Sequence, residues 1–359
     1  MSKFKVIVVS VSPSGKGGVA TVINTFKKSK LLNENCSVRY FSSHSSVSSL
    51  NKIYTILWAY LQFPFVLLFG KYELIHIHGS LKTSFYRKLY FLLVGKLFGL
   101  PVIYHLHTAQ IDKYFTGITL LKFKLTKYIF SLYSKRLCLG FPVVDKLFNY
   151  TGVAWEVLHN PISCPEPMKP RHKNEVCNFS FMGELSQRKG IIDLLNAFTI
   201  VSTINQNAHL YVAGNGDLPR LIKVVEDSTI SGRVTFLGWI NAEEKEKLLA
   251  KTDVIVLPSY AEGLPMSILE AMSEGLPVIT TPVGSTTDAI SDGKEGIIVR
   301  PGDIEAIAKA MCTLAENDEL RKKMGNAAKN KFSLLFELEI VANRLLSIYQ
   351  DLLEIPHAK

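Results

Sequence analysis

A chain of 359 residues with 47% apolar and 20% charged residues is long enough for two domains that each bury a core, which excludes a disordered chain. Five cysteines without paired spacing fit a reducing compartment. The net charge of +10 is unevenly held: residues 1–160 carry 20 Lys+Arg against 5 Asp+Glu, a surplus of 15, whereas residues 161–359 carry 21 against 26. The first half therefore offers a cationic face to nucleic acid, an anionic membrane or an anionic acceptor.

Taken in order, Phe4 to Val11 (FKVIVVSV) reads as a buried strand opening a βα unit and is too short for a signal peptide. Ser12 to Gly18 is a glycine loop feeding a helix that starts near Gly18. It lacks the spacing of a dinucleotide fingerprint or a Walker loop, and Lys16 is either an anion contact or solvated. Cys36 to Phe41 reads as the second strand, followed by a polar, mobile serine-rich loop from Ser42 to Ser49.

Ile53 to Phe69 is an apolar run of seventeen residues that contains Gln62 and Pro64, a residue expected to break a helix. A buried or interfacial helix is expected there rather than a membrane span. Leu74 to His78 and Val102 to His107 read as strands, each ending in His-x-His. Residues two apart share a strand face, but no carboxylate or cysteine completes either pair, so no metal is expected. Only the last histidine of each pair, His78 and His107, is expected at the crevice, and for His78 a packed core role competes evenly.

Lys82 to Lys96 and Lys113 to Arg136 interleave lysines with aromatic and aliphatic residues. Such stretches either rest on anionic headgroups or turn their oily stripes to the core. Arg136 to Leu139 and Trp155 to Leu158 read as the last strands of a first domain, residues 1–160. The Pro- and charge-rich segment 161–175 reads as a linker. A second βα series then fills residues 176–340, with strands at Asn178–Met182, Leu210–Ala213, Val234–Leu237, Asp253–Leu257, Val278–Thr281 and Gly296–Val299. A final helix, 341–359, is expected to return to the first domain. The fold class is α/β, two Rossmann-like doubly wound domains facing a cleft.

The densest signal is Ala261 to Thr280, AEGLPMSILEAMSEGLPVIT. Gly263 permits a sharp turn after a strand, Pro265 suits the first helical position and Gly275 ends the helix. The amides of Gly263, Leu264 and Met266 would meet an anion such as a diphosphate at that helix start. Glu262 and Glu270 flank this anion site, and carboxylates there are best matched to neutral sugar and ribose hydroxyls.

Glu262-Gly-Leu-Pro-x-x-x-x-Glu270-Ala-Met, followed by Gly275-x-Pro-Val-Ile, resembles the signature of the retaining family 4 glycosyltransferases of the GT-B fold. The resemblance implies that Glu262 faces the donor sugar, that the turn through Gly263, Leu264 and Pro265 holds the diphosphate, and that Glu270 binds the ribose. Gly183 to Gly190 (GELSQRKG) resembles the family's Gly-Arg-x-x-x-x-Lys-Gly. Lys189 matches the second cation, but Glu184 replaces the arginine, and Arg188 is the candidate to compensate. Gly214 and the backbone of Ile240 resemble the nucleoside lining. Gly17, Gly18 and His107 match first-domain positions near donor and acceptor.

The implied activity is transfer of a sugar from a nucleoside-diphosphate sugar to a hydroxyl of a saccharide, lipid-linked in bacterial surface polysaccharide synthesis such as capsule or O-antigen. Glu262, His107 and Lys189 form the candidate catalytic set. No cofactor, metal or nucleic acid is expected. An anionic membrane surface is the expected partner of the basic domain, and the expected location is the cytoplasmic face of the cell membrane. A nucleotide-sugar epimerase and a silent nucleotide-sugar binding protein are the rival readings.

Overall fold

The computed structural model describes residues 3–12, 15, 17–43, 49–164 and 176–354. Lys16, the core of the serine-rich loop and segment 165–175, most of the expected linker, lie outside the described residues. The chain divides into two compact units, Met1–Ser163 together with Leu335–Lys359, and Cys164–Leu334.

The first unit is built on a six-stranded sheet: β1 (Phe4–Ser10), β2 (Cys36–Ser42), β3 (Leu74–Gly79), β4 (Val102–Leu106), β5 (Lys135–Cys138) and β6 (Glu156–Val157), in spatial order β2-β1-β3-β4-β5-β6 with parallel pairing. β1, β3 and β4 are almost continuously buried, as strands of a parallel sheet covered on both faces are. The order reverses between β1 and β3, so the loops after those strands flank a topological switch point.

One face of this sheet carries the helices Ser49–Gly70, Thr83–Leu97 and Leu120–Leu132, whose Phe63, Phe91 and Phe130 share one core cluster with Ile75 and Tyr104. Pro64 was expected to break the first of these helices, yet it runs through 22 residues. A proline removes the hydrogen bond to the carbonyl four residues earlier, here Tyr60, and the Tyr90 hydroxyl donates to that carbonyl at 2.6 Å instead. Lys113 to Arg136 is not one element. Gly117 separates the helices Ile111–Thr116 and Leu120–Leu132, and Arg136 lies in β5.

The chain returns at Leu335, six residues before the expected position, and the helix Leu338–Glu354 joins the first unit. Its Leu345, Ile348 and Tyr349 are buried, and Glu339 accepts hydrogen bonds from the Ser29 hydroxyl and the Lys30 amide.

The second unit holds β7 (Cys177–Met182), β8 (Ala208–Ala213), β9 (Val234–Gly238), β10 (Val254–Leu257), β11 (Val278–Thr280) and β12 (Gly296–Ile298), parallel and ordered β12-β11-β10-β7-β8-β9. The order reverses between β10 and β7. The two strongest sequence motifs follow these two strands, and the fold therefore brings them side by side at its switch point.

Candidate functional site

The loop after β7 runs from Gly183 through a 3-10 turn, Gln187–Lys189, into the helix Ile191–Ile204. Gly190, at φ +71°, sets the entry: a Cβ there would stand 2.2 Å from the carbonyl oxygen of Pro258, which follows β10. The two loops are stitched further by the Tyr260 amide, which donates to the Arg188 carbonyl at 2.8 Å, and by the Arg188 guanidinium, which donates to the Ala261 carbonyl at 3.0 Å.

This stitching brings Lys189 to Glu262. The ammonium donates to Glu262 Oε1 at 2.5 Å, and the Ser259 hydroxyl donates to the same oxygen at 2.6 Å. Glu262 is only 5% exposed, so a carboxylate that far from bulk water needs both partners. Its other oxygen lies 3.9 Å from Arg188 Nη1. Glu184, which stands where the motif it resembles carries arginine, is exposed and pairs with Arg188 at 2.8 Å. The replacement therefore leaves one arginine at the elbow, turned inward and shared between Glu184 and the loop carrying Glu262.

The helix after the elbow spans Met266–Ser273. Pro265 was expected at its first position, but Pro265 has ψ 125°, an extended value, and stands one residue outside. Leu264 is buried, and the Gly263 carbonyl accepts from the Ser285 amide at 2.7 Å. Gly284, at φ +60°, lets its chain approach this turn, because a Cβ there would lie 2.0 Å from the Glu262 carbonyl oxygen. Glu270, 9% exposed, accepts from Lys245 Nζ at 2.5 Å. Lys245 sits on the helix Ala242–Lys251, just after the half-buried Ile240. The Gly214 amide donates to the Gly238 carbonyl at 2.7 Å, joining the ends of β8 and β9.

Lys189, Arg188, Glu262, Gly263, Leu264, Pro265 and Glu270 thus gather at one end of the second sheet, with Gly214 and Ile240 on the loops beyond β8 and β9. Two of their partners escaped the sequence reading. Ser259 stands three residues before Glu262, a spacing that could have drawn notice. Lys245 lies on a helix 25 residues before Glu270, and no local pattern links them.

Gly17, Gly18 and His107 belong to the first unit. Gly17 precedes the helix Gly18–Phe26 at φ +128°, and nothing lies within 4 Å of where a Cβ of either glycine would stand. His107 directly follows β4, its amide donating to the Gly79 carbonyl at 2.7 Å and its Nε2 lying 2.9 Å from His78 Nδ1. His76, His78, His105 and His107 form a ladder of four rings, of which His76 and His105 are fully buried. His78 stacks on His76 at 4.3 Å and on His107 at 5.1 Å, and His105 lies 4.3 Å from His107. The cause is register: His78 of β3 sits opposite His105 of β4.

Burial in this ladder pushes the imidazoles of His76 and His107 down to about 3, and those of His78 and His105 well below the usual range. All four are therefore neutral near pH 7. Ligand nitrogens of His76, His78 and His105 come within 4.8 Å of one another. The nearby Lys88 disfavours a proton on His78, and burial pushes its own amine well below the usual lysine range.

Residues 167–331 match the family model "Glycosyl transferases group 1". An uncharacterized glycosyltransferase of Methanocaldococcus jannaschii is 29% identical over 175 residues, covering 48% of this chain and 45% of that protein. An uncharacterized 41.2 kDa protein in the cps region of Klebsiella pneumoniae is 24% identical over 360 residues, covering 90% of this chain and 95% of that one. The chain thus spans less than half the length of the first relative and nearly all of the second. Among solved structures, sucrose-phosphate synthase from Thermosynechococcus elongatus aligns with TM-score 0.79 at 17% identity, over 98% of this chain and 99% of that one. HepE of Anabaena in complex with UDP and glucose aligns with TM-score 0.75 at 16% identity, over 97% and 99%.

Two Rossmann-like domains of this kind define a glycosyltransferase fold of the GT-B type. The family match lies in the second unit, and over residues 167–331 the chain is similar to the glycosyl transferases of group 1.

Proposed function

We propose that the protein transfers a sugar, with retention of configuration, from a nucleoside-diphosphate sugar to a hydroxyl of a lipid-linked saccharide, working at the cytoplasmic face of a membrane in surface polysaccharide assembly. The observation that carries this reading is Glu262, buried at a glycine elbow and bound through one oxygen to both Lys189 and Ser259. The cps-region relative supports the polysaccharide context, and the neighbour complexed with UDP and glucose supports a nucleotide-sugar donor.

In this mechanism, negative charge builds on the leaving diphosphate as the bond to the sugar lengthens. In this reading Lys189, Arg188 and the turn through Gly263, Leu264 and Pro265 are assigned to stabilise that charge without a metal. The absence of an Asp-x-Asp pair from the sequence fits the same view. Glu262 could instead attack the sugar in a double displacement. Two short charge-assisted hydrogen bonds on its Oε1 reduce its nucleophilicity, which favours front-face attack with Glu262 orienting the sugar. Glu270 is assigned to the ribose hydroxyls and the backbone at Ile240 to the base. Neutral His107 acts as a polar contact rather than a proton carrier, because a group pushed down to about 3 is a weak base.

The test is a donor panel with and without lipid-linked acceptor, run on the wild type and on Glu262→Gln. Transfer is expected to fall by about a hundredfold or more, the scale of losing a transition-state contact of roughly 2.7 kcal/mol or more. Wild-type transfer should survive chelation by EDTA. A Glu262→Gln protein that transfers at the wild-type rate refutes the assignment. Donor turnover without acceptor would point to the epimerase, and nucleotide binding without turnover to the silent binder.

A further inference from the structure

The helix Ser49–Gly70 presents an apolar face that the first unit leaves uncovered. Its inner side, Ala59, Phe63 and Leu67, is buried, with Phe63 edge-on to Phe41 and Phe91. Its outer side exposes Ile53, Leu57, Trp58, Leu61, Phe65 and Phe69, the last at 79%. At about 100° per residue these six fall within one arc of about 160°. No acidic or basic residue occurs from Ile53 to Gly70. An apolar face of this extent on a folded unit calls for a covering partner.

The helix Leu120–Leu132 packs its Phe130 into the core shared with Phe63. There Leu121 is 78% exposed, and Lys122, Lys124 and Lys127 are exposed beside it. Between residues 53 and 135 the only acids are Glu73 and Asp112. Both are engaged, Glu73 with the Lys5 amide and Asp112 with Lys146 and Tyr150.

We infer that this face rests on an anionic lipid bilayer, with the helix Ser49–Gly70 lying flat at the boundary between headgroups and acyl chains and the lysines of Leu120–Leu132 on headgroup phosphates. The inference rests on the reading that the acceptor is lipid-linked and names the surface by which the enzyme reaches it. Among the described residues this is the one helix long and apolar enough to cross a membrane. Crossing would strip Ala59, Phe63 and Leu67 from the core and separate the Tyr60 carbonyl from Tyr90, so the helix lies in the plane. A second copy of the chain is a poorer cover. A two-fold contact on this face would set its lysines against their own copies with almost no acid to offset them.

The test is co-flotation of the full-length protein with phosphatidylcholine vesicles, with and without phosphatidylglycerol, at low and high salt. Wild type is expected to bind the anionic vesicles. Leu61→Glu/Phe65→Glu should lose binding by at least about tenfold at both salts, and Lys122→Glu/Lys124→Glu/Lys127→Glu should lose it mainly at low salt, where screening is weak. Brominated acyl chains should quench Trp58 fluorescence in the wild type, with Trp58→Phe as the control. Vesicle binding unchanged in the Leu61/Phe65 variant, no vesicle binding by wild type, or a wild-type dimer that this variant dissociates would each overturn the inference. The Leu61/Phe65 variant should keep its nucleotide-induced thermal shift and Glu262→Gln should still float. Failure of lipid binding with nucleotide binding intact therefore leaves the transfer reading standing.

Discussion

Four neutral histidines stacked at the ends of β3 and β4 tie the first unit's stability to pH. Burial lowers their folded pKa values, to about 3 for His76 and His107, whereas in the unfolded chain each protonates near the ordinary 6.5. The unfolded state therefore binds protons first as pH falls. The stability is complete above about pH 6.5 and is lost progressively down toward pH 3, at up to about 1.4 kcal/mol per pH unit for each histidine. The groups facing the ladder, the Tyr349 hydroxyl on His76 Nδ1 and the buried Lys88 amine near His78, supply no carboxylate to offset that protonation. Thermal melting from pH 7.5 to 5 should show a steep fall for the first unit, and His105→Gln should flatten the slope. A melting temperature independent of pH over that range would contradict the neutral ladder. The two His-x-His pairs were legible in the sequence, but their meeting was not, because it depends on which strands become neighbours and in which register.

At the scale of elements, the strands and the elbow helix were readable because each is fixed by its own residues. Apolar β-branched runs make the strands, Gly263 the turn and Gly275 the helix end, the last at φ +67°. The helix around Pro64 was misjudged for the opposite reason. Its repair comes from Tyr90, thirty residues away on another helix, and no local pattern announces it. The join between the motif loops depends on Gly190 in the same non-local way. Gly190→Ala places a methyl group against the Pro258 carbonyl and forces a side chain into a left-handed conformation, with an expected cost of about 1–3 kcal/mol. Displacement of this loop should also move Lys189 away from Glu262. The variant should melt several degrees lower and lose most of its thermal shift with UDP, GDP or ADP. A wild-type melting curve with the nucleotide shift intact would show that the close approach is not needed.

Across the whole molecule, the sequence already showed two α/β units and an uneven charge, because periodicity and composition are sums over many residues. It could not fix where the chain rejoins the first unit, since that is decided by packing. The helix Leu338–Glu354 is amphipathic wherever it docks. It docks through Leu345, Ile348 and Tyr349, with Phe336 buried just ahead of it and Glu339 capping the helix Lys30–Asn35. Each large apolar side chain buried this way contributes about 1.5–3 kcal/mol, so four of them already approach the 5–15 kcal/mol net stability of a typical domain. A chain ended at Leu334 is therefore expected to leave the first unit unfolded while the second stays folded. Calorimetry should lose one of two unfolding transitions, and nucleotide should still raise the melting temperature of the one that remains. Two intact transitions in the shortened chain would mean that the first unit closes its core without the returning helix, and that Tyr349 is not needed to hold His76 in place.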